Sequence, residues 1–184
     1  MLWESGKGYK IYNIDQFLHM AFNPDNKFGK RIMSIIQGYN HEKYWHRRQV
    51  VVDPNKGNFL IKLWYLFYIK RVDARHHCSF GTNINIGNMF ATPPNFHHGP
   101  NGIIVAPDAQ IGRNCRIYQQ VTITGGGIII GDDCLLGAGS KILHGVTIGD
   151  RVKVGANCVV SQDVPNDSLA VVPRAVIIPR KEKK

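Results

Sequence analysis

Two adjacent histidines, His97 and His98, stand in the segment Phe96-His97-His98-Gly99-Pro100-Asn101-Gly102. They are the side chains of this sequence best suited to moving a proton. A neutral imidazole takes a proton from a hydroxyl near neutral pH because its ordinary pKa lies close by. A lone histidine at a strand end is commonly a hydrogen-bonded structural residue. Here the surroundings argue for chemistry instead. His98 falls where a regular repeat calls for an aliphatic residue, Pro93-Pro94 precedes it and Gly102 follows it. Functional sites are commonly built at such an imperfection in a regular scaffold.

The scaffold is a six-residue repeat. Aliphatic residues recur at Val105, Ile111, Ile117 and Ile123, and again at Ile130, Leu136, Ile142, Ile148, Val154 and Val160, with one residue of slip inside Thr124-Gly125-Gly126-Gly127. A second register holds small or β-branched residues: Ala109, Cys115, Val121, Cys134, Ser140, Val146, Val152, Cys158 and Val164. A period of six is neither the 3.6 of a helix nor the bare alternation of a strand. It predicts short strands joined at glycine corners (Gly112, Gly131, Gly137, Gly149 and Gly155), stacked into a prism of parallel sheet. Extended backwards, the count runs faintly through Ala74, Phe80, Ile86, Thr92 and His98.

The 184 residues, 43% of them hydrophobic, suit one compact domain with a small annex. We divide the chain into a helical, capping region at residues 1–73 and a β-helix domain at residues 74–184. The net charge of +10 is spread over both. It fits an anionic partner or an ordinary basic surface, and no arginine-rich run or recognised motif points to nucleic acid. Cys115, Cys134 and Cys158 sit in the small register, joined by Cys78 if the count is extended, so they read as buried reduced fillers rather than zinc ligands. Reduced thiols and an N-terminus without signal-peptide character imply a cytoplasmic protein.

In the annex, residues 1–22 are weakly patterned, and Asn23-Pro24-Asp25 predicts a turn capping a helix over about Lys27 to Arg48. Val50-Val51-Val52 predicts a short extended piece. Asn58 to Arg71 is apolar on nearly every side, with cations at Lys62, Lys70 and Arg71, and predicts a helix buried against the open mouth of the prism. The competing reading is contact of residues 59–71 with a membrane surface, through aromatics and basic side chains. Leu169 to Pro179 allows a last strand, and Lys181–Lys184 a frayed tail.

The hexapeptide run, the segment from His98 to Val105, Tyr118-Gln119-Gln120-Val121-Thr122-Ile123, Gly137-Ala138-Gly139 and Asp163-Val164-Pro165 together resemble the serine acetyltransferase group of left-handed β-helix acyltransferases. The likeness covers roughly residues 74 to 178 and is greatest to short members associated with capsule and exopolysaccharide synthesis. The resemblance implies a left-handed parallel β-helix and a homotrimer with sites between neighbouring prisms. It also implies acetyl-CoA as acyl donor, no metal, and a hydroxyl-bearing small molecule or saccharide as acceptor. Carried onto this sequence, the general base is His98 and the oxyanion-stabilising amide belongs to Gly125. The pantetheine slot is lined by Ala138, Gly139 and Ala156, and the lysine near the cofactor phosphates is Lys153.

Three departures matter. His97 stands where the group carries an aspartate that orients the base. Gly125-Gly126-Gly127 passes straight into Ile128-Ile129-Ile130, without the Arg-His pair that engages a substrate carboxylate. The N-terminal residues are unlike the group's helical domain. An unpaired carboxylate is costly in a closed site, so the expectation is a sugar hydroxyl of a surface polysaccharide or its precursor, with serine O-acetylation in cysteine biosynthesis as the alternative. Two rivals belong to other classes. A γ-type carbonic anhydrase would need three histidines at a metal, and the repeat offers only His144 beyond the 97/98 pair. A non-catalytic trimeric scaffold would need none of this chemistry.

Overall fold

The computed structural model describes residues 27–173, 175 and 177. The readings of residues 1–22, of the turn at 23–25 and of the Lys181–Lys184 tail lie outside the described residues. The chain forms two compact units, Met1–Tyr44 and Trp45–Lys184. Three helices are described: α1 (Lys27–Gln37), α2 (His41–Val52) and α3 (Phe59–His76).

The single helix predicted from Lys27 to Arg48 is therefore two. Gly38 takes φ 66, a left-handed conformation that glycine adopts without penalty, and ends α1. Asn40 then starts α2 by accepting the Lys43 N–H at 2.9 Å through its side chain. Val50 to Val52, expected to be extended, form the last turn of α2. Val51 is fully buried there, so packing outweighs the strand preference of a β-branched run. Asn58 caps α3 by accepting the Ile61 N–H at 2.9 Å, and His77 ends it at φ 50.

From Ser79 onward the chain coils. Twelve two-residue strands are described, numbered in chain order, in three four-stranded sheets whose pairs are all parallel. One sheet stacks β1 (Met89–Phe90), β3 (Gln110–Ile111), β6 (Ile129–Ile130) and β9 (Thr147–Ile148). The second stacks β4 (Arg116–Ile117), β7 (Leu135–Leu136), β10 (Lys153–Val154) and β12 (Leu169–Ala170). The third stacks β2 (Ile104–Val105), β5 (Thr122–Ile123), β8 (Lys141–Ile142) and β11 (Val159–Val160). Successive residues of the hexapeptide register pair directly, Val105 with Ile123, Ile123 with Ile142 and Ile142 with Val160. Both registers point inward: Ile117, Ile123, Leu136, Ile142, Cys115, Val121 and Ser140 are fully buried. Each coil thus hands its hydrogen bonds and its apolar face to the next.

Two details differ from the sequence reading. Gly112, Gly131, Gly137, Gly149 and Gly155 are not in left-handed conformations. Four of them are required by close approach; a Cβ on Gly112 would lie 2.5 Å from the Gly131 carbonyl oxygen, and one on Gly137 2.6 Å from the Ala156 nitrogen. The first coil also follows another count. Ser79 bridges to Ile104, Met89 pairs with Gln110 and Asn95 bridges to Arg116, so Phe80, Phe90 and Phe96 occupy the core register. Ala74 belongs to α3 and Ile86 is 60% exposed. The extra residues between Phe80 and Phe90 absorb the difference.

The mouth of the prism is closed by Trp45 and Arg48 of α2. The Trp45 indole meets the rings of Phe80, Phe90 and Phe96 at 5.5, 4.8 and 6.2 Å. Arg48, 3% exposed, donates to the carbonyls of Phe80 (3.1 Å) and Asn88 (2.9 Å), to Thr82 Oγ1 (3.0 Å) and to the Asn88 side chain. By contrast α3, expected to be the buried cap, leaves Leu60 73%, Trp64 68% and Phe67 64% exposed. What it buries is Ile69, Val72, Asp73, His76 and Lys62. The Lys62 ammonium donates to the Asp53 carbonyl at 2.6 Å and to the Asn85 side chain. A helix apolar on every side can lay only one face on the protein, and here the inward face carries the polar tethers.

Candidate functional site

His97 and His98 follow Phe96 at the corner that closes the β4 sheet. In the next coils the same corner holds Tyr118-Gln119-Gln120 after β4, Gly137-Ala138-Gly139 after β7 and Gly155-Ala156-Asn157 after β10. Backbone bonds tie these layers together: Gly139 N–H to Gln119 O at 3.0 Å and Asn157 N–H to Ala138 O at 2.8 Å. His98, Ala138, Gly139 and Ala156 thus share one edge of the prism, with the imidazole at its first coil and small residues below. Gly139 takes φ 70, and a Cβ there would lie 2.3 Å from the Asn157 amide oxygen. His98 and Ala156 are exposed and Ala138 is half-buried.

The turn that presents His98 is held from inside. The Asn101 side chain donates to the His98 carbonyl at 2.8 Å and accepts from His76 Nδ1 at 2.7 Å. This amide orientation makes His76 Nδ1 the donor. The Gly102 N–H donates to the His76 carbonyl, and the Gln120 N–H to the Asn101 carbonyl, both at 2.9 Å. His97 stacks on Tyr118 at 5.1 Å and 20°, while the His98 ring stands 6.4 Å from Tyr118, tilted by 57°. Among the described residues the His98 ring nitrogens have no hydrogen-bond partner.

Gly125 lies elsewhere. It follows β5, on the corner that closes the third sheet, and so stands on a different edge from His98. Beside it the Asp108 carboxylate accepts the N–H of Gly126 at 2.7 Å and of Gly127 at 3.0 Å. Those donors, Gly126 first, hold the Asp108 carboxyl below the usual carboxylate range, and the nearby His144 adds to the effect. A Cβ on Gly126 would fall 2.0 Å from His144 Nδ1, so the turn is packed against that ring. The Gly125 N–H has no acceptor among the described residues. Lys153 is exposed on β10, paired with Leu135 and Leu169 on the outer face leading to the Ala138–Ala156 edge.

Of the expected site residues, the fold brings together His98, Ala138, Gly139 and Ala156, sets Lys153 on the adjoining face, and separates Gly125. His98 is not in the core register, since Phe96 fills that slot. Sequence reasoning missed the roles of Tyr118, Asn101, His76 and Asp108. His76 and Asn101 are 25 positions apart in different elements, so no local signal joins them. Among the described residues no group of three His, Cys, Asp or Glu stands as metal ligands would, and no helix is long and apolar enough to cross a membrane.

Residues 127–162 match the bacterial transferase hexapeptide (six repeats). The chain carries that family's repeat. It is 34% identical over 132 residues to a serine acetyltransferase of Bacillus subtilis, an alignment covering 67% of this chain and 60% of that protein. It spans about half the length of the curated relatives it matches. A serine acetyltransferase of Entamoeba histolytica, solved with cysteine, superposes with a TM-score of 0.62 over 90% of this chain and 58% of the other, at 22% identity. A soybean serine acetyltransferase solved with serine gives 0.54 over 88% and 66%, at 26% identity. Coils of opposite hand do not superpose. The fold is therefore the left-handed parallel β-helix that the resemblance implied.

Proposed function

We propose that this chain is an acetyl-CoA-dependent O-acetyltransferase with His98 as general base. The observation that carries the reading is an exposed imidazole, its ring nitrogens unengaged among the described residues, at the head of an edge lined by Ala138, Gly139 and Ala156. His98 takes the acceptor hydroxyl proton as the oxygen attacks the thioester carbon. The tetrahedral oxyanion is steadied by a backbone N–H, and the C–S bond then breaks. The imidazolium returns the proton to the leaving sulfur, so the products are an ester and free CoA thiol. Lys153 serves the cofactor phosphates.

The separation of His98 and Gly125 on different edges supports a homotrimer, in which the His98 edge of one protomer meets the Gly125 edge of its neighbour and each groove is completed by two chains. The protein works in the cytoplasm.

The relatives' names make L-serine the acceptor best supported, ahead of the polysaccharide hydroxyl expected from the sequence. One observation keeps the sugar reading in play: the 125–127 turn runs directly into buried Ile128 and its loop supplies no cation for a carboxylate. A thiol-release assay with acetyl-CoA decides between them. CoA release with L-serine supports serine acetylation, release only with sugars or sugar nucleotides moves the acceptor to saccharides, and release with neither overturns the enzyme reading.

A further inference from the structure

The exposed side of α3 is the apolar one. Leu60, Leu63, Trp64 and Phe67 are 73%, 48%, 68% and 64% exposed. Their spacing of i, i+3, i+4 and i+7 makes them one stripe. The Trp64 and Phe67 rings lie 6.5 Å apart at 24°, a flat aromatic plate on the outside of the molecule. Toward its C-terminal end the same side turns cationic, with Lys70, Arg71 and Arg75 all exposed. The helix's one acid, Asp73, is buried on the other side. None of the three cations forms an ion pair among the described residues.

We propose that this side of α3 docks on an anionic membrane surface, lying in the interface without crossing it. The two halves make different demands, and one partner meets both. The stripe from Leu60 to Phe67 needs an apolar medium, and the aromatic plate suits the headgroup boundary. The unpaired cations need negative charge, which anionic headgroups present as a continuous layer. A second copy of this chain, itself at +10, gives the apolar half a partner and brings further cations to the basic half. With Lys62, Lys70, Arg71, Asp73 and Arg75 in its sequence α3 is not apolar enough to cross a membrane, so it lies on the surface. The inward face, anchored by Lys62, Ile69, Val72 and His76, is what fixes the outward one. The inference is independent of the acyltransferase reading.

The test is flotation of the full chain with vesicles of phosphatidylcholine mixed with phosphatidylglycerol, against phosphatidylcholine alone, at low and high salt. The protein is expected to float with the anionic vesicles only, and less so in salt. Replacing Leu60, Trp64 and Phe67 together by Gln should weaken binding roughly tenfold or more. Lys70→Glu with Arg71→Glu should weaken it about tenfold or more. All these side chains are exposed, so far-ultraviolet circular dichroism should be unchanged. A native protein that stays with the unbound fraction overturns the proposal, as does a triple variant that still floats. A triple variant whose mass in sedimentation equilibrium falls below that of the native protein also overturns it, by assigning the face to a second copy.

Discussion

The first coil and the coils that follow it trace the same triangular path but are held by different means. From Val105 to Val160 the register pairs aliphatic with aliphatic, and every layer repeats the bonds of the one before. In the first coil the register is aromatic (Phe80, Phe90, Phe96), the spacing is irregular, and closure comes from outside the repeat, through Trp45 and Arg48. The contrast explains why the histidines stand where they do. Within the regular coils a Cβ at Gly137 or Gly139 would collide with the coil that follows, although the same corner one coil earlier holds Tyr118. A terminal coil has no layer above it, so its corner accepts two imidazoles and a longer turn.

If closure from outside distinguishes the first coil, removing it should cost far more than thinning a regular layer. Trp45→Ala is expected to destabilise the protein by about 3–5 kcal/mol, and Ile123→Val by about 0.5–1.5 kcal/mol, in urea unfolding. Equal losses would mean that the cap is an ornament on a self-sufficient solenoid.

The next effect is chemical. The His98 ring is exposed and touches little, so His98→Ala should leave the urea midpoint unchanged while lowering the thiol-release rate roughly 100-fold or more. Loss of stability without specific loss of rate would return the residue to a structural role.

Asn101 sharpens the comparison further, since its side chain ties the His98 corner to α3 while its carbonyl meets the next coil at Gln120. Asn101→Ala frees the His98 carbonyl and leaves His76 Nδ1 without this acceptor. The expected result is a fall in kcat on the order of tenfold, smaller than that of His98→Ala, because the base remains but is less well aimed. A variant with native kcat and only a shifted KM would show that the turn needs no such tie.

How much of this was legible follows from the same contrast. The regular coils were readable nearly residue by residue, because a six-residue period states which side chain faces inward and which strand it meets. The slip at Gly125-Gly126-Gly127 was visible for the same reason. The first coil misled the count: Ile86, Thr92 and His98 kept the period, while Phe80, Phe90 and Phe96 filled the core. Aromatic rings span gaps that an aliphatic register cannot, and no periodicity reports that. The histidine pair stands out by residue type and irregular setting, while the slot that the count assigned to His98 is filled by Phe96. For α3, an all-round apolar composition carries no information about which face is covered. That depended on Lys62 reaching the Asp53 carbonyl in the turn before α3 and the Asn85 side chain, a contact formed only once the coil exists.

The smallest effect concerns the other edge, where a carboxylate rather than an aromatic cap holds an irregular turn. Asp108 accepts the N–H groups of Gly126 and Gly127, and these donors depress its pKa. A carboxyl whose folded pKa lies below its unfolded value contributes stability that is present above the unfolded pKa and is lost as pH falls through the folded one. The turn should therefore keep its geometry through the ordinary carboxylate range and loosen only at lower pH. The amide resonances of Gly126 and Gly127, followed by nuclear magnetic resonance during acidification, should titrate together with a midpoint below that of an ordinary aspartate. Asp108→Asn should abolish that titration and barely move the urea midpoint, since the carboxylate is exposed and both bonds fall on one oxygen, whose place a neutral amide oxygen can take. A midpoint in the ordinary range would mean that the turn holds itself, and the two edges would then differ in composition but not in how they are fixed.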